Sequence, residues 1–175
     1  GTALINIQAG IIIFAYVLGL GKFFSLISAM DTGSSFEGMG ASREACFTTI
    51  VEPAFFMIIA SIMALTGNFT FTSLKGILEN AGSYGILITI FAVVALFLMI
   101  LIEGSRVPVD DPTTHLELTM IHEVMILDNS GSDLALLTWG NSIKMLLISS
   151  LIANILIPAH FSELVSTALY LFIIF

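Results

Sequence analysis

The sequence predicts an all-α protein, a polytopic transmembrane bundle with about five spans in 175 residues. Three observations carry that prediction. The chain is 57% hydrophobic with a mean hydropathy of +1.05, beyond the range of soluble globular proteins. Several apolar stretches approach the roughly 20 residues that a helix needs to cross a bilayer. Only 10% of residues are charged, and many of them crowd into one stretch, "EGSRVPVDDPTTHLELTMIHE", residues 103–123.

Residues 4–30 are apolar apart from Asn6, Gln8 and Lys22, and give one long tilted helix or a helix broken near "GLGK". "DTGSSFEGMG", residues 31–40, reads as a Gly/Ser loop. The second helix is expected over 41–65, ended by "TGN". Residues 67–83 form a connection with a short amphipathic piece, "TSLKGILEN". Residues 84–102 are a clean span, and the charged stretch follows, closing at "NSGSD". Residues 141–157 are the next span, stopped by Pro158, and 161–175 begin another. The chain opens on Gly1 and stops inside "LYLFIIF", so it is expected to be a piece of a longer polypeptide, a single transmembrane domain over 1–175. Alternation of the spans puts the 31–42 and 103–140 loops on one face. Lys22, Arg43, Arg106 and Lys144 lie at or near that face, against Lys75 on the other, so the positive-inside rule assigns it to the cytoplasm.

Composition also excludes functions. One cysteine, Cys46, leaves no internal disulfide framework and no CxxC metal or cluster site. A net charge of −8 argues against nucleic acid, and the few basic residues argue against a polybasic lipid-binding chain. No P-loop, GxGxxG, GxSxG or Ser-His-Asp pattern occurs, so no catalytic centre is expected in this chain.

The ionisable groups are therefore the functional candidates. A charge at the centre of a membrane helix costs roughly 2.5–3.5 kcal/mol, so it faces protein or water. Arg43 and Glu44 lie near the start of the second helix, as an interfacial anchor pair or as part of a polar path. Glu52 sits about two turns deeper, just before Pro53, whose missing N–H leaves the Thr49 carbonyl free. A carboxyl beside loosened backbone favours a hydrated proton or ion site over a neutral acid bonded to a neighbouring helix. Glu103 ends a span with Arg106 three residues on, either a surface pair at a helix end or part of the same path.

The charged stretch has its own local order. Asp111 is placed to cap a helix with Pro112 at its first position, and Thr114 and Glu117 have capping-box spacing. Leu118, Ile121 and Met125 then fall at helical spacing, with Met120, Val124 and Leu127 beside them, so an amphipathic helix is expected over 112–127. His115 and His122 share a face, flanked by Glu117 and Glu123. These groups line an ion path or simply keep a loop helix wet. His115, His122 and Glu123 do not form HExxH, so no metal is expected. An imidazole among Asp110, Asp111, Glu117 and Glu123 is expected to hold its proton more tightly, while burial acts the other way. The sequence does not rank the two effects.

Three segments carry a family resemblance: "MDTGSSFEGMGASREACFTTIVEPAFF", the 103–123 stretch, and "DNSGSDLALLTWGNSIKMLL". In that order they resemble the membrane-anchor subunit of energy-converting group 4 nickel–iron hydrogenases, of the hydrogenase-4 component C and formate hydrogenlyase type. That subunit is homologous to subunit 1 of NADH:quinone oxidoreductase, respiratory complex I. The resemblance implies an all-helical bundle of about eight spans, of which this chain is the middle and later part. It implies a non-catalytic subunit of a prokaryotic cytoplasmic membrane complex, seating a peripheral redox arm and lining a proton or sodium path. The nickel–iron centre and iron–sulfur clusters then belong to the peripheral large and small subunits, with antiporter-like membrane subunits as further partners. The family's Gly-Ala-x-Arg and following glutamate fall on Gly40, Ala41, Arg43 and Glu52. Its helix-ending glutamate and arginine fall on Glu103 and Arg106, its Pro-x-Asp and Glu-Leu on Pro108, Asp110, Glu117 and Leu118, and its acid before a Ser-Gly turn on Asp128. Together with Glu44, Glu123, His115, His122 and the charge partner Lys144, these are the expected ion-path residues. Where complex I has further glutamates this chain has Thr113 and His115, and its spacing to the Ser-Gly turn is longer. That departure favours the hydrogenase branch over a quinone-site subunit of a respiratory dehydrogenase. A stand-alone secondary transporter would show paired broken helices in an inverted repeat, and none stands out.

Overall fold

The computed structural model describes residues 9–68, 70–74, 77, 82–107, 109–110, 120–157 and 167–171. Among these the regular elements are helices. They are α1 (Gly10–Asp31), α2 (Ser35–Thr66), a 3-10 turn (Phe71–Leu74), α3 (Ser83–Glu103), the single turn α4 (His122–Met125) and α5 (Ser132–Leu156). Residues 167–171 are also helical, inside the expected last span. The helices α1, α2, α3 and α5 are each long and apolar enough to cross a membrane. At 1.5 Å per residue, the 22 residues of α1 extend about 33 Å, against a hydrocarbon core of about 30 Å. The protein is an integral membrane protein.

The helices run further than their apolar patterns. α1 continues unbroken through "GLGK". α2 begins at Ser35, not 41, so most of the expected Gly/Ser loop is helix. Glu37 lies in its first turn, where a carboxylate is favoured by the exposed N–H groups. α5 begins at Ser132, not 141. Thr138, Gly140 and Asn141 interrupt the apolar run but not the helix, which starts on Ser132 and Asp133 directly after the Ser-Gly turn. Pro53 stands inside α2, and the helix passes through it.

The expected 112–127 helix is not continuous. Residues 111–119, with Asp111, Thr114, His115 and Glu117, lie outside the described residues. Met120 and Ile121 are non-helical, and only 122–125 form a turn. Met120, Ile121, Val124 and Met125 are buried as the pattern anticipated, whereas Leu127 is exposed.

The described chain divides into two compact units. The first comprises 1–16, 55–98 and 146–175. Its core contains Phe55, Ile59 and Ile62 of α2, Leu96 of α3, and Ile148, Leu151, Ile152 and Ile155 of α5. The residues of α2 and of α5 fall at helical spacing, one stripe on each. Lipid is as apolar as leucine, so such contacts hold by close packing, which Ala15, Ala92 and Ala153 permit. The remaining faces are apolar and exposed, including Tyr16, Met57 and Phe91, as lipid-facing surfaces are.

The second unit comprises 17–54 and 99–145 and holds most of the ionisable groups. Ala29 of α1, Ala41 of α2 and Met125 of α4 form its apolar cluster, with Leu26 against it. Gly40 sets the approach of α2 to α4. A Cβ there would lie 3.0 Å from both the Ile121 carbonyl oxygen and Met125 Cγ.

Candidate functional site

α3 ends in a way that fixes Glu103. The Arg106 N–H donates to Leu101 O at 3.0 Å and the Ser105 N–H to Ile102 O at 3.2 Å, with Ser105 in the left-handed region at φ 49°. This is a Schellman closure, and it makes Glu103 the last helical residue. The next residue is Gly104, and a Cβ there would overlap the thioether end of Met145. A bare backbone at 104 thus lets α5 come close, beside Lys144.

The result is an alternating ionic chain. Lys144 Nζ lies 2.8 Å from Glu103 Oε2, and Lys22 Nζ lies 2.8 Å from Glu103 Oε1. Lys22 also pairs with Glu44. Glu44, Lys22 and Glu103 side chains are each 10% exposed or less, and Lys144 is 23% exposed. Charges so enclosed persist only when matched. Four elements supply them, α2, α1, α3 and α5, all in the second unit.

Of the expected residues, the structure brings Glu44, Glu103 and Lys144 together. Sequence reasoning missed the link, Lys22. The signal was available, because a lone lysine in the middle of an apolar span is costly without a partner. Glu103 does not pair with Arg106. Arg106 lies outside the helix on the far side of the Schellman turn and is exposed. Glu52 is half-buried against α1, and a Cβ on Gly19 would lie 3.3 Å from its Oε1. His115 and Glu117 lie outside the described residues, and Glu123 is exposed.

Other candidates hold backbone. Asp110 is buried, and its Oδ2 accepts from the Ile121 N–H at 3.2 Å and the His122 N–H at 3.1 Å. It thereby satisfies orphan donors at the start of α4. Arg43 Nη1 donates to Met120 O at 3.0 Å. Asp128 exposes its side chain, while its N–H donates to Glu37 Oε1 at 2.8 Å. Glu37 itself is fully buried, although the Gly/Ser pattern around it predicts a loop. Segment 120–128 is thus gripped from both ends of its approach to α2.

His122 faces this assembly. Burial pushes its pKa below the ordinary imidazole value, and the Lys144 and Lys22 ammonium groups push the same way. Glu44 and Asp110 oppose them and are outweighed. The two effects that the sequence leaves unranked are thus ordered for His122, where desolvation exceeds the attraction of its acidic neighbours.

Among the described residues no group of three His, Cys, Asp or Glu side chains is arranged to hold a metal ion. Fold and site define a class: a polytopic helical membrane protein with a buried acid–base chain between its helices. A family model described as NADH dehydrogenase matches residues 1–175, and the chain belongs to that family, whose members include subunit 1 of complex I. It is 31% identical to hydrogenase-4 component C of Escherichia coli (strain K12) over 148 residues, 85% of this chain and 46% of that protein. It is 27% identical to formate hydrogenlyase subunit 4 of the same organism over 148 residues, 85% of this chain and 47% of that one. The chain spans about half the length of these curated relatives.

Proposed function

We propose that this chain is part of a non-catalytic membrane subunit of a hydrogenase or formate hydrogenlyase-type complex, and that its buried acids carry ions coupled to electron transfer. The observation that carries the reading is the chain Glu44–Lys22–Glu103–Lys144. Matched charges inside membrane helices cost more than apolar residues of the same volume. Ionisable residues inside membrane spans mark ion and proton pathways, so the chain is read as one through which charge moves. A proton reaching Glu103 would weaken its hold on both lysines, and Lys22 would then bind Glu44 alone. Charge thus shifts along the chain without any metal or cofactor in it.

The names of both curated relatives support the hydrogenase assignment. On this reading the nickel–iron centre and iron–sulfur clusters sit in peripheral large and small subunits, and antiporter-like subunits continue the path in the membrane. The 103–131 connection faces the cytoplasm, toward the peripheral arm, in the prokaryotic cytoplasmic membrane. Asp110, Arg43 and Glu37 position segment 120–128 beneath that arm, and Glu52 extends the path along α2.

Glu52→Gln keeps size and hydrogen bonding but removes titration. In sealed vesicles carrying the whole complex, it is expected to lower ion translocation by about tenfold or more, while dye-linked hydrogen turnover by the partner subunits persists. Unchanged translocation would overturn the role of Glu52.

A further inference from the structure

We propose that the Thr48 hydroxyl anchors a short chain of water molecules that joins Glu52 to Glu44, making a relay along the α1–α2 contact. Glu44, Thr48 and Glu52 stand at i, i+4 and i+8 of α2, with successive steps of about 6 Å along one face. Both acids touch the same stretch of α1: Glu44 pairs with Lys22, and Glu52 lies against Gly19, one turn away. Thr48 therefore stands midway between two acidic residues whose positions are about 12 Å apart along the helix axis.

The hydroxyl itself is unusual. Helical threonines in this chain bond back to the carbonyl four residues earlier: Thr49 to Ala45 at 2.8 Å, Thr89 to Gly85 at 2.8 Å and Thr138 to Leu134 at 3.0 Å. Thr48 does not. Its Oγ1 is buried with no hydrogen-bond partner, in a residue 9% exposed. An unpaired buried hydroxyl is destabilising, and buried polar groups are otherwise bonded to protein or to water. A water bonded to Thr48 satisfies the hydroxyl, and further waters on either side of it close the distance to the two acids.

The transfer balances without a redox partner. The O–H bond at a protonated Glu52 breaks as one forms on the nearest water, each water passes another of its protons to the next, and the last O–H forms on the Glu44 carboxylate. Glu44 becomes neutral, and Lys22 stays with Glu103. The inference rests on the proposed ion path, and the test separates the two. In vesicles with the whole complex, ions moved per hydrogen turned over would be measured for Thr48→Val, Thr48→Ser, Glu52→Gln and Glu103→Gln. Redox-difference infrared spectra in water and in oxygen-18 water would report the bound water. Thr48→Val is expected to lower the ratio about tenfold or more and to remove one isotope-shifted O–H band. Thr48→Ser should restore both. A wild-type ratio with the band intact in Thr48→Val overturns the relay. So does equal loss in Thr48→Val and Thr48→Ser, which marks packing. Unchanged coupling in Glu52→Gln would overturn the relay by removing its donor, whereas unchanged coupling in Glu103→Gln would overturn the ion path on which the relay depends.

Discussion

Lys22 matters most among single residues, because it answers two carboxylates at once. Lys22→Met would leave Glu44 unpaired and Glu103 with Lys144 alone. Removing one partner from a buried pair costs about 3–5 kcal/mol. Lys144→Met should cost clearly less, since Glu103 keeps Lys22 and Lys144 is the more exposed member. Denaturant unfolding of the detergent-solubilised subunit should rank Lys22→Met below Lys144→Met, and the reverse order would refute this account of the chain. His122 makes a second prediction. Its folded pKa lies below the ordinary value of about 6.5, so the unfolded segment binds the proton more readily. The seating of 120–125 is then fully favoured above that value and lost as pH falls through the depressed folded pKa. Hydrogen exchange of the Met125 and Ile126 amides, corrected for intrinsic pH dependence, should accelerate on the acid side. His122→Gln should flatten that rise, and an unchanged profile would place the titration elsewhere.

At the scale of elements, α2 does the joining. Its 32 residues extend about 48 Å, more than a bilayer core requires. Its start carries Glu37 and Gly40 onto the 120–128 segment, while Glu44 and Glu52 lie deeper. Gly40 is a point of close approach in that contact. Gly40→Val would drive its side chain into the Ile121 carbonyl and Met125, an overpacking expected to cost about 1–3 kcal/mol. Protease susceptibility around 120–130 should rise, with α5 unaffected. Equal protection in the variant would mean that the segment is held without α2.

For the whole molecule, the question is what covers the polar connection. Arg106, Val107 and Glu123 are exposed outside the spans, and Val107 is 62% exposed. A photo-crosslinker at Val107 or Glu123 should capture a peripheral subunit carrying clusters or the hydrogenase centre. Capture of lipid alone, or of antiporter-like chains alone, would contradict the proposed placement. Co-purification of a nickel–iron large subunit rather than NADH-oxidising subunits should separate the hydrogenase branch from the respiratory one.

Long apolar runs determined the membrane class and the existence of the spans α1, α2, α3 and α5, because about 20 apolar residues have few other stable environments. The three motif segments pointed to the family and to Glu44, Glu52 and Glu103 as residues of interest. Helix starts at Ser35 and Ser132 were not legible there. Glycine, serine and asparagine weaken a helix only by amounts that packing overrides. Pairing was decided by tertiary structure alone. Arg106 is near Glu103 in sequence, yet the Schellman turn carries it away, and Lys22, 81 residues distant, takes its place. Spacing along a chain predicts neighbours within one helix, whereas a buried charge is answered by whichever helix packs against it. The same holds for His122. Its acidic neighbours are visible in sequence, but the burial that outweighs them arises only when α4 is seated in the second unit.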